Sequence, residues 1–267
     1  MNLGIARGSW VIAKRELQSL FVSPIAYVAL SGFAVLAGWF FFNLLAQFQE
    51  MTSVYMQLAM QRPDILQQIN LSEMVIQPTW MNLTVILVIL FPILTMRLVA
   101  EERRQRTDEL LLTSPVSTGA IVLGKYMAIM TVYAAMLAMT LSFPLVLVIW
   151  GSPAPGWGEL LTPYLGLLLL GGTFAAVGLF TSSITTNQIV AAIACFVVLL
   201  MFYVIDWIGG SAGGLVKDVL EYVSLVRRYQ DFVKGIIDVK SVVYYLSFAT
   251  FALFLSKAAL DGLRIRA

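Results

Sequence analysis

Residues Thr107–Tyr126 read TDELLLTSPVSTGAIVLGKY, and how this stretch is read decides between two kinds of protein. Its second half, Gly119-Ala-Ile-Val-Leu-Gly124-Lys125-Tyr126, falls one residue short of the glycine–lysine loop that cradles nucleotide phosphates. That loop needs Ser or Thr after its Lys to hold magnesium, a strand before it, and backbone N–H groups free to face the phosphates. Here Tyr126 follows the lysine, bulky Ile121, Val122 and Leu123 fill the loop, and a polar segment broken by Pro115 precedes it. Gly119 and Gly124 are better explained as close-packing or helix-start positions. The chain is expected to bind no nucleotide and to hydrolyse none.

The surroundings of that stretch point to a bilayer. Of 267 residues, 60% are hydrophobic and 12% charged, with a mean hydropathy of +0.86; soluble domains carry about a quarter charged residues. Six apolar stretches, at about 24–46, 80–99, 126–150, 160–181, 188–205 and 242–255, come near the length of a spanning helix. The first is too long for the apolar core of a signal peptide and reads as a retained anchor. There is no histidine, and Cys195 is the one cysteine, which excludes disulfide frameworks, His/Cys zinc sites and Cys–His catalysis. No span interior carries Asp, Glu, Lys or Arg, which argues against proton-coupled transport and intramembrane proteolysis. A net charge of +2 gives no reason to expect nucleic acid.

With an even number of spans both termini lie on one side, and that side collects eleven of the Lys and Arg residues against six on the other. The termini are therefore expected in the cytoplasm. Residues 5–21 read as an amphipathic helix along the membrane, with Trp10, Ala13, Leu17 and Leu20 on one side and Arg7, Lys14, Arg15 and Gln18 on another. Outside, Gln47–Thr79 forms a long loop. Within a helical outer segment, 209–239, Leu215, Val219, Tyr222, Val226, Tyr229 and Val233 follow helical spacing, as one or two amphipathic helices would.

The most charged segment, Arg97–Pro115, joins spans two and three on the cytoplasmic side. Asp108 and Glu109 favour a helix start after Thr107, Pro115 ends it, and Ser117 or Thr118 can cap the next helix. Leu110, Leu111 and Leu112 then sit on a short cytoplasmic helix among acids and arginines, a composition that suits a protein contact better than a solvated connection. The stretch AEERRQRTDELLLTSPVSTGAIVLGKY resembles the ABC-2 type permeases, especially those grouped as gliding-motility-associated, through Glu101, Glu102, Arg103, Thr107, Glu109, Leu110–Leu112, Thr113, Pro115, Gly124 and Lys125. Ser224–Phe248 looks like that family's outer re-entrant helices running into the last span.

The resemblance implies one all-α transmembrane permease domain over 1–267, with six transmembrane helices, an N-terminal elbow helix and a type V exporter-like arrangement. It implies a bacterial inner-membrane subunit, not itself an enzyme, that couples ATP hydrolysis in a partner to export or conformational work. The coupling segment, 100–118, would engage the ATPase through Glu101, Glu102, Arg103, Arg104, Arg106, Thr107, Glu109, Leu110, Leu111, Leu112, Thr113 and Pro115. Ser182, Ser183, Thr185 and Asn187 would form a second, smaller contact. The implied partners are two ATPase copies that hold the ATP and magnesium, a second permease chain identical or related, membrane lipid, and a periplasmic accessory subunit. Two other readings stand beside export: a mechanotransmission complex acting on a periplasmic partner with nothing transported, and a membrane scaffold needing no ATPase.

Overall fold

Long apolar runs with few charges must satisfy their backbone internally, and in this chain they do so as helices. The computed structural model describes residues 5–59, 70–107, 116–150, 156–211 and 213–264, which form helices and no strand. They are α1 (Ile5–Val22), α2 (Pro24–Ala59), α3 (Gln77–Thr95), α4 (Ala100–Arg104), α5 (Thr118–Met139), α6 (Ser142–Trp150), α7 (Trp157–Ile184), α8 (Gln188–Ser211), α9 (Gly214–Val223), α10 (Leu225–Val233) and α11 (Val239–Arg264). Among the described residues, six segments are long and apolar enough to cross a membrane: Pro24–Gln57, Ser72–Arg104, Thr118–Ile149, Trp157–Ile184, Gln188–Asp206 and Val239–Arg264.

Helix α7 is the centre of the bundle, with 78% of its most apolar stretch buried against 17% for α8 and 22% for α11. Small residues let its neighbours approach, as membrane helix packing favours. A Cβ at Gly166 would come within 2.7 Å of Phe232 on α10, Gly171 lies under the ring of Tyr133 on α5, and Gly178 lies against Thr95 on α3. Tyr133 donates its hydroxyl to the Leu167 carbonyl at 2.7 Å, and Phe91 meets the rings of Tyr133 and Phe174 edge-on. Helices α8 and α11 instead turn large apolar side chains outward, among them Val190, Ile193, Met201, Val243, Phe251 and Phe254.

Several helices depart from the lengths that hydropathy implies: α8 runs on to Ser211, and α11 covers Val239–Arg264 where the apolar stretch is 242–255. Helix α2 continues to Ala59, because Gln47, Gln49 and Glu50 are good helix formers with no Gly or Pro among them, so the first part of the outer loop is helical. The third span breaks after Met139 and resumes at Ser142. Pro144 explains the break, since its ring crowds the carbonyl four residues back, at Thr140. The outer segment is two helices divided at Ser224, whose hydroxyl accepts from the Arg227 N–H at 3.1 Å and starts α10. The cap resets the helical phase: Val226, Tyr229 and Val233 are buried, whereas Val219 and Tyr222 on α9 are exposed. Arg228 lies between the rings of Tyr222 and Tyr244, 4.6 and 4.1 Å from their centroids.

The packing around α7 sets a test. Gly178→Val should lower stability by about 1–3 kcal/mol through overpacking, whereas Gly38→Ala, with nothing within 4 Å of its added carbon, should change little. Thermal unfolding of the purified chain in detergent measures both.

Candidate coupling site

The amphipathic helix α1 docks on the first turns of α5, and Gly124 is the reason it can lie so close. A Cβ at Gly124 would come within 2.7 Å of both the Ser9 carbonyl and Ile12 Cβ. The buried stripe of α1 is Ser9, Ile12, Ala13, Glu16 and Leu20, while Trp10 is 63% exposed. Of the four residues expected to share one side, Ala13 and Leu20 are buried and Leu17 half-buried, whereas Trp10 faces outward; an acid, Glu16, completes the buried stripe where Gly124 and its neighbour Lys125 receive it.

Lys125 is 1% exposed and its ammonium is fully occupied. It donates to Glu16 Oε1 at 2.8 Å, to Glu102 Oε2 at 2.9 Å and to the Leu98 carbonyl at 2.5 Å. Arg15 closes the ring with Glu16 at 3.1 Å and Glu102 at 2.6 Å. Burial alone would raise the Glu16 carboxyl, but Lys125 and then Arg15 outweigh it and hold the group below the ordinary carboxylate range. For the Arg15 guanidinium burial acts downward, and Glu16 and Glu102 outweigh it and raise the group. Beside the ring lies a cleft of about 620 Å³ lined by Arg15, Arg97, Glu101, Glu102, Gln105 and Thr107.

The segment after α3 is tied to the end of α7 as well. Ser182 Oγ accepts from the Val99 and Ala100 N–H groups, each at 3.1 Å, and donates to the Met96 carbonyl at 3.0 Å. These N–H groups open α4 and would otherwise be unpartnered. Arg103 donates to the Ser183 carbonyl at 2.9 Å, and Arg97 bridges Glu101 at 2.9 Å and donates to Ser23 Oγ at 2.5 Å. Arg106 ends α4 in the left-handed region, φ 55°, with the Thr107 N–H returning to the Glu102 carbonyl at 3.0 Å. That turn usually takes glycine. On the return side Ser117, rather than Thr118, caps α5, and Thr118 donates to Asp261 on α11 at 2.5 Å.

Of the expected contact residues, Glu101, Glu102 and Arg103 are partly buried and engaged, whereas Arg104, Arg106 and Thr107 are exposed. Asp108, Glu109, Leu110, Leu111, Leu112, Thr113 and Pro115 lie outside the described residues. At the second contact, Ser182 and Ser183 are buried with their hydroxyls bonded inside the chain, while Thr185 is half-buried and Asn187 exposed. Sequence reasoning missed Glu16 as a site residue. Its one signal is its place a turn from Ile12 and Leu20, in register with an apolar stripe.

The family model described as ABC-2 family transporter protein matches residues 10–259. The chain belongs to the ABC-2 transporter family. It is a multi-pass membrane protein and the transmembrane subunit of an ABC transporter. A comparison with curated proteins finds no match. The matched region of this permease takes in the docked helix α1 from Trp10, the Lys125 ring, five of the six candidate spans and the sixth as far as Ala259.

Removing Lys125 strands two acids that water barely reaches. Lys125→Met should cost about 3–5 kcal/mol, as breaking a buried pair does, and adding Glu16→Gln and Glu102→Gln should return part of it; thermal melts of the three proteins give the comparison. Because Glu16 is held below its unfolded-state value, its contribution is present above about pH 4.3 and is lost as pH falls through the lower folded value. The stability gap between the native chain and Glu16→Gln should therefore be constant near neutrality and close only in acid.

Proposed function

We propose that this ABC-2 permease works as a mechanical joint, with 100–118 as the segment that a separate ATPase grips. ATP and magnesium belong to that partner, present in two copies, and this chain contributes no catalysis. Closure of the ATPase pair moves the segment, the spans follow, and a second permease chain, identical or related, completes the path for export. The termini lie in the cytoplasm and the protein in the bacterial inner membrane, as the eleven-to-six distribution of basic residues supports.

The observation that carries this reading is the fastening of both ends of the segment. Its first end is bonded to α1 through Glu102, to α7 through Ser182 and Ser183, and to α5 through Lys125. Its second end is bonded to α11 through Thr118 and packed on α1 through Gly124. A connection that only joined two spans would gain nothing from these buried charges, which cost desolvation to hold. Leu110, Leu111 and Leu112, with Glu109, are the contact we assign to the ATPase.

A second output is favoured by one feature. Helix α2 has 36 residues, about 54 Å of helix, against about 30 Å of hydrocarbon. Such a helix projects well beyond the bilayer and offers a handle to a periplasmic partner, through which ATP could do work with nothing crossing.

Changing both Leu110 and Leu111 to Asp should abolish co-purification of the ATPase subunit from native membrane, while the thermal melt of the permease stays unchanged. An ATPase still retained by the double variant, or none retained by the native chain, contradicts the assignment and favours a scaffold.

A further inference from the structure

Between the fifth and sixth candidate spans, at the end of the bundle opposite the coupling segment, two hollows share a wall. The first, about 420 Å³, is lined mainly by charge: Asp218 on α9, Arg227, Arg228 and Asp231 on α10, and Lys234 and Asp238 just beyond it. The second, about 410 Å³, follows the start of α11 and is lined by Tyr222, Val239, Lys240, Val243, Tyr244 and Ser247. Tyr222 lines both, and the Arg228 guanidinium sits between the rings of Tyr222 and Tyr244. Each hollow falls within the range of ligand pockets, about 300–1,000 Å³. Among the described residues Asp218, Asp231, Asp238, Lys234 and Lys240 form no ion pair, while Arg227 lies 3.6 Å from Glu221. Charges of both signs therefore stand ready in one place.

The two hollows differ in chemistry, and together they describe an amphipathic ligand. Val239 and Val243 are 69% and 56% exposed, and Leu246, Phe251 and Phe254 continue the apolar surface along the sixth candidate span. Tyr222, Lys240 and Tyr244 mark headgroup height, where aromatic rings and long cations collect. We infer that this paired site binds a phospholipid whose zwitterionic head ends in a primary ammonium, as in phosphatidylethanolamine. An acyl chain lies along Val239 and Val243, the phosphate beside Lys240 and Arg228, and the ammonium among Asp218, Asp231 and Asp238. Arg228 donates Nε and Nη2 to the Tyr222 carbonyl, at 3.2 and 3.0 Å, which leaves Nη1 for a phosphate oxygen. An anionic head would leave the three carboxylates without a partner. A quaternary ammonium prefers the faces of aromatic rings, but the facing sides of Tyr222 and Tyr244 are taken by Arg228. Carboxylates favour an ammonium that donates hydrogen bonds. A soluble zwitterion would gain nothing from the exposed valines.

The site stands whether or not an ATPase grips the coupling segment, and its test needs no ATPase. The full chain in detergent is mixed with phosphatidylethanolamine, phosphatidylglycerol and phosphatidylcholine of the same acyl chains, and bound lipid is counted by native mass spectrometry. Phosphatidylethanolamine should be retained about fivefold or more over each of the others, as charge-assisted hydrogen bonds at a half-exposed site would give. Asp218→Asn with Asp231→Asn, or Lys240→Gln, should remove the preference and leave thermal unfolding of the lipid-free chain unchanged. Free phosphoethanolamine at the same concentration should not displace the lipid. Equal retention of the three lipids, or a preference for another head, would overturn the headgroup assignment. A preference that survives both variants would lie elsewhere and overturn the site. Displacement by free phosphoethanolamine would make the ligand a soluble zwitterion and overturn the part given to the apolar hollow.

Discussion

An ammonium buried beside a membrane has to be matched, and in this permease the match determines how the cytoplasmic end is built. Lys125 collects a carboxylate from α1, a carboxylate from α4 and a carbonyl from the turn between α3 and α4. No one of those groups can move alone without leaving charge unpaired in a place water barely reaches, which is costly. Helix α1, the start of α5 and the departing segment at α4, the one proposed to couple, are thereby made one body. The glycine beside the lysine belongs to the same device, because only a residue without Cβ lets α1 lie near enough for Glu16 to reach. The Gly124-Lys125 pair that imitates a nucleotide loop is a docking seat.

Glycine on α7 does for the spans what Gly124 does for α1. Gly166, Gly171 and Gly178 take a neighbour from α10, α5 and α3 in turn, so the central helix is locked along its length. Its last residues, Ser182 and Ser183, then hold the coupling segment. Motion applied at that segment meets a packed column, and packed columns transmit displacement because their interiors have little free volume. Helices α8 and α11, with most of their apolar surface outward, are left for lipid or a second chain.

The membrane class was legible because the bilayer imposes a strong, local rule on composition. So was the charged segment after the second span, since Glu101, Glu102 and Arg103 stand together in one short run. The ring around Lys125 was not legible in the same way. Glu16 and Lys125 are separated by 109 residues, and a lone acid on an amphipathic helix ordinarily reads as its wet side. Spacing alone also groups Trp10 with Ala13 and Leu20, but Trp10 faces outward while those two are buried beside Glu16. Ser182 and Ser183, polar residues at a turn, read as a surface; in the structure they satisfy backbone N–H groups of a distant helix start. Arg106 in a left-handed turn carries no sequence signal, because glycine or asparagine is the usual residue there.

The central claim is that Lys125 joins α1 to the coupling segment as one body. Spin labels placed at exposed Gln18 and Gln105 in the otherwise native, membrane-reconstituted chain would report it by pulsed electron–electron resonance. A single narrow distance distribution is expected, broadening markedly in Lys125→Met. An equally narrow distribution in the variant would show that packing alone holds the helix and that the buried charge is not the fastening.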